Sequence, residues 1–64
     1  MSSVYNPEAD TVAEIERLEL EVRHTRRRVE HAHNAADKRV LNRQLQELKQ
    51  QIEFLQAKLP QAAG

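Results

Sequence analysis

The chain has 64 residues with no cysteine, one terminal glycine, one Tyr, one Phe and 31% charged residues, its ten acids balancing ten bases. So short a chain has little interior and leans on staples or self-association, but without cysteine it can form no disulfide or thiolate metal site, and a reducing, cytoplasmic setting is expected. The apolar residues never run beyond pairs, which excludes a membrane span and a signal-peptide core.

Residues 1–6 are expected to form a flexible N-terminal tail that ends in a helix start. In Asn6-Pro7-Glu8, the Asn side chain can cap, proline suits the first helical position, and Glu8 and Asp10 lie near the positive end of the helix dipole. A first helix is expected over residues 7–33. Along it Ile15, Leu18, Val22, Thr25, Val29, Ala32 and Ala36 alternate at spacings of three and four, a heptad seam with Ile15, Val22 and Val29 at a positions and Leu18 at a d position.

A second series follows in Leu41, Leu45, Leu48, Ile52, Leu55 and Leu59 and stops at Pro60, so a second helix is expected over residues 37–59. Its frame is shifted by two residues, which matches neither the three- nor the four-residue insertion that a continuous coiled coil absorbs. One straight helix would carry the two seams on opposite sides, whereas a hairpin brings them together. The turn is placed at residues 33–37, where Asn34 can end the first helix or cap the second. Pairing the seams antiparallel sets Ile15 against Leu55, Leu18 against Ile52, Val22 against Leu48, Thr25 against Leu45 and Val29 against Leu41. Residues 60–64 are expected to be a flexible C-terminal tail.

The charges are segregated along this hairpin. Residues 1–22 hold Glu8, Asp10, Glu14, Glu16, Glu19 and Glu21 against Arg17 alone, a net −5, while residues 23–43 hold seven bases against Glu30 and Asp37, a net +5. A lone hairpin cannot bury its seam fully, so a homodimer forming a four-helix bundle is expected. Two basic turns side by side would repel, which favours an antiparallel dimer with turns at opposite ends. Off the seam, Leu20, Phe54 and Val40 are the large apolar residues on the outer faces and the candidate surface for a larger protein partner.

Seven bases near the turn, with Arg23, Arg27, Arg39 and Arg43 the freest, are candidate phosphate contacts. No aromatic residue lies beside them to stack an exposed base. His24 and His31 are seven residues apart and His31 and His33 two, neither being the spacing of a helical metal pair, so no metal or cofactor is expected. The carboxylates sit on open helix surface, and no catalytic residue is assigned.

In length and expected architecture the hairpin dimer resembles the Rop-type RNA-binding bundles, in architecture only and with no shared motif, and function does not follow from fold. Taken together, the residues point to a non-enzymatic, self-associating helical protein that serves as an adaptor, regulator or assembly factor. The alternative is an RNA- or DNA-binding regulator that uses the basic turn region.

Overall fold

The structure, a computed structural model, describes residues 6–60; the expectations for residues 1–5 and 61–64 lie outside that range. Two helices, α1 (Pro7–His31) and α2 (Ala35–Lys58), pack against each other as a hairpin. Among the described residues the chain is all-α.

Both helices start on an asparagine cap. The Asn6 side chain accepts from the amides of Glu8 (3.0 Å) and Ala9 (3.3 Å), and Pro7 takes the first helical position, where its missing N–H costs nothing. Asn34 accepts from the Asp37 amide at 2.8 Å and donates back from its amide nitrogen to the Asp37 carboxylate at 3.2 Å. The charges follow the helix dipoles, with Glu8 and Asp10 opening α1, Arg28 and His31 closing it, and Asp37 and Lys58 at the two ends of α2.

The turn is shorter and earlier than the sequence suggests. It comprises Ala32, His33 and Asn34, so α1 ends two residues before the expected boundary and α2 begins two residues before its own. Ala32 (φ −70°, ψ 138°) and Asn34 (φ −138°, ψ 163°) are both extended, and among the described residues none has a positive φ. A reversal made from extended residues has no left-handed position for glycine to occupy, and Ala35-Ala36, good helix formers, are free to open α2. Ala36, expected to continue the first seam, instead lies in the first turn of α2 and is exposed.

The seam lies between the helices. Ile15, Leu18 and Thr25 are buried. Thr11, Val22, Val29 and Ala32 of the first half, and Leu41, Leu45, Leu48, Lys49, Ile52, Leu55 and Leu59 of the second, are half-buried, and every other described residue is exposed. The asymmetry has a steric cause. The first half contributes small residues to the contact (Thr11, Thr25 and Ala32), while the second half contributes large aliphatic ones and Lys49, which stay partly uncovered. No residue of α2 is buried.

Candidate functional site

On each helix the seam is flanked by two polar stripes, roughly 100° away on either side. Helix geometry puts Asp10, Glu14, Arg17, Glu21, His24 and Arg28 of α1 on one flank, together with Val40, Gln44, Glu47, Gln51 and Phe54 of α2. Three hollows that span both helices open on this side. At the open end Pro7, Glu8 and Thr11 face Lys58, Leu59 and Pro60. In the middle, Glu21, His24, Thr25 and Arg28 face Gln44, Glu47, Leu48 and Gln51 around about 330 Å³. Near the turn Arg28, His31 and Ala32 meet Asp37, Val40 and Leu41.

Thr25, Ala32, Leu41, Leu48 and Leu59 therefore form the floors of a groove whose rims are polar or charged. It is a surface suited to another helix, since the partly exposed leucines can be covered while the rim side chains pair at the edges. The candidate seam residues divide accordingly: Ile15 and Leu18 are closed off by the hairpin itself, and Val22, Val29, Leu41, Leu45, Leu48, Ile52, Leu55 and Leu59 remain half-buried.

The three candidate partner-surface residues do not form one patch. Val40 (57% exposed) and Phe54 (64% exposed) share the flank just described, separated by about 21 Å along α2. Leu20 is exposed on the far side of α1, pointing away from the seam. Phe54 is partly covered by Lys58, whose ammonium lies 4.6 Å from the ring centroid, a cation–π contact.

The candidate phosphate contacts are all exposed. Arg23 and Arg27 stand one turn apart on the outside of α1, and Arg39 and Arg43 stand one turn apart on the outside of α2, where they line a shallow hollow with Ala36 and Val40. The four make two pairs on separate helices rather than one cluster. All twenty Asp, Glu, Lys and Arg residues lie within the described range, and among them Arg17 and Glu14 form the one ion pair, at 2.6 Å on open surface. A single exposed pair of this kind contributes about 0–1 kcal/mol.

Among the described residues no three His, Cys, Asp or Glu side chains are grouped to hold a metal ion, and no helix is long and apolar enough to cross a membrane. Sequence reasoning did not group Glu21, His24, Gln44, Glu47 and Gln51, which line the middle hollow together. Their spacing of three and four was the available signal. Comparison with known proteins gives no matching family model, no matching curated protein and no matching solved structure.

Proposed function

We propose that this chain is a small helical interaction module, an adaptor, regulator or assembly factor that acts by self-association and catalyses no reaction. The observation that carries the reading is the uncovered seam: six large aliphatic residues of the second half, Leu41 to Leu59, are half-buried and none is buried. Apolar area left in water at regular helical spacing is area that another helix pair can cover, at about 25 cal/mol per Å². A cytoplasmic setting belongs to the same proposal, because a cysteine-free composition suits a reducing compartment.

Sedimentation equilibrium over the micromolar range tests it. A chain that doubles its mass with a concentration-dependent transition supports the reading, and one that remains a helical monomer up to high micromolar concentration rejects it.

A second reading, duplex RNA or DNA binding by the turn-proximal bases, is supported by one observation: Arg23, Arg27, Arg39 and Arg43 are exposed and, among the described residues, none is within ion-pair distance of an acid. Replacing Arg27 and Arg39 together with glutamine abolishes duplex retention in a gel shift if this reading holds. Under the first reading the same variant self-associates like the parent chain, and neither protein retards a duplex.

A further inference from the structure

We propose that the flank carrying Glu21, Arg28, Val40 and Phe54 docks a second copy of this chain turned end for end, with α1 against the partner's α1 and α2 against the partner's α2. The inference rests on the self-association reading and specifies its face, its orientation and its occupant.

The occupant follows from the order of charges. Asp10, Glu14, Arg17, Glu21, His24 and Arg28 recur at spacings of four and three, so they form one stripe. Reversed about its midpoint near Glu19, the stripe sets a carboxylate against an arginine at two of its three pairings and against an imidazole at the third. Asp10 falls opposite the partner's Arg28, Glu14 opposite the partner's His24, and Arg17 opposite the partner's Glu21. A parallel copy would instead set every charge against its own kind. Antiparallel neighbours also align the helix dipoles favourably.

α2 adds apolar area to the same flank. Among the described residues Val40 and Phe54 are the two most exposed large apolar ones, and both stand there. Thr11 shares a hollow with Leu59, and Arg28 shares one with Leu41, which fixes the register within the hairpin. In that register the axis that reverses α1 about Glu19 crosses α2 at Gln51, which brings Phe54 level with the partner's Leu48 and Gln44 level with the partner's Lys58. The second copy would cover all three hollows and the leucines at their floors.

The opposite flank of α1 also pairs in reverse, Glu16 with Arg26 and Glu19 with Arg23, but it offers less exposed apolar area. Its exposed large apolar residue is Val12, without an apolar counterpart on α2, whose residues there are Arg39, Asn42, Gln46, Lys49, Glu53 and Gln56. The outward Arg23, Arg27, Arg39 and Arg43 stay outside the docked face.

The test is a charge reversal and its repair, read as the dimer dissociation constant by sedimentation equilibrium at low salt. Arg28→Glu sets a carboxylate against the partner's Asp10 at both ends of the symmetric dimer and weakens it roughly 10-fold. Adding Asp10→Arg to the same chain restores most of the affinity, which also shows that the reversal at position 28 does not simply spoil the fold. Arg23→Glu, the same change in net charge on the other flank, leaves the constant within about twofold. If the parent chain is a monomer, the self-association reading fails and this inference with it. If the parent dimerises but Arg28→Glu and Arg23→Glu weaken it equally, or the combined variant does not recover, this face and orientation are wrong and the self-association reading stands.

Discussion

Asn34 does two things in the same few ångströms. Its backbone is extended, which lets the chain reverse, and its side chain accepts from the Asp37 amide at 2.8 Å, which starts the helix that reverses it. Asn34→Ala removes the cap and should lower stability by about 1 kcal/mol, whereas Asn34→Gly should lower it by only a few tenths of that. Urea unfolding followed by circular dichroism measures both, and equal midpoints for Asn34→Ala and the parent would show that the cap contributes nothing. From the sequence alone Asn34 was ambiguous, because asparagine suits a helix end as well as a helix start. The ambiguity is resolved by neighbours. Ala35 and Ala36 have high helix propensity, and Asp37 falls at the position where an acid both meets the cap and faces the positive end of the dipole.

At the scale of the helices, the heptad frames were legible because each repeats several times, so that one misplaced residue cannot hide the period. Leu41, Leu45, Leu48, Ile52, Leu55 and Leu59 keep one face for nearly the whole of α2. The turn has no such repetition, and its three residues carry no glycine or proline to mark it, which is why its expected position was late. The groove flank was missed for another reason. Charges summed along the chain reveal an acidic half and a basic half, but only charges sorted by face show that Asp10, Glu14, Arg17, Glu21, His24 and Arg28 make a stripe. The weight of the seam against the outer faces can be measured. Leu48→Ala should cost about 2 kcal/mol, at the low end for a core leucine because the side chain is half-buried, while Leu20→Ala on the outer face should stay within about 0.5 kcal/mol. Comparable losses at the two positions would mean that Leu20 is covered by something the hairpin itself does not supply.

For the molecule as a whole, zero net charge conceals two poles of opposite sign about half a helix length apart. Copies that overlap fully and in reverse cancel those poles, so the complex should gain mass without gaining length. Small-angle X-ray scattering on a concentration series should show the mass doubling while the longest dimension stays near that of one hairpin, roughly 40 Å for helices of this size. Tip-to-tip or staggered association would lengthen the particle instead. High salt screens the rim pairs, so at about 0.5 M the dissociation constant should rise several-fold, with the leucine floors supplying what remains. An affinity insensitive to salt would place the whole interaction in the apolar seam and remove the reason for a reversed orientation.

Pro7 and Pro60 line the same hollow, so the chain enters and leaves at one end of the hairpin. In a single copy, whatever is joined to either terminus is held side by side. In the reversed pair the two copies present these junctions at opposite poles, about 37 Å apart by the rise of a 25-residue helix. Dimerisation would then turn a clasp into a strut: attachments on one chain stay together, and those on the other are kept a fixed distance away.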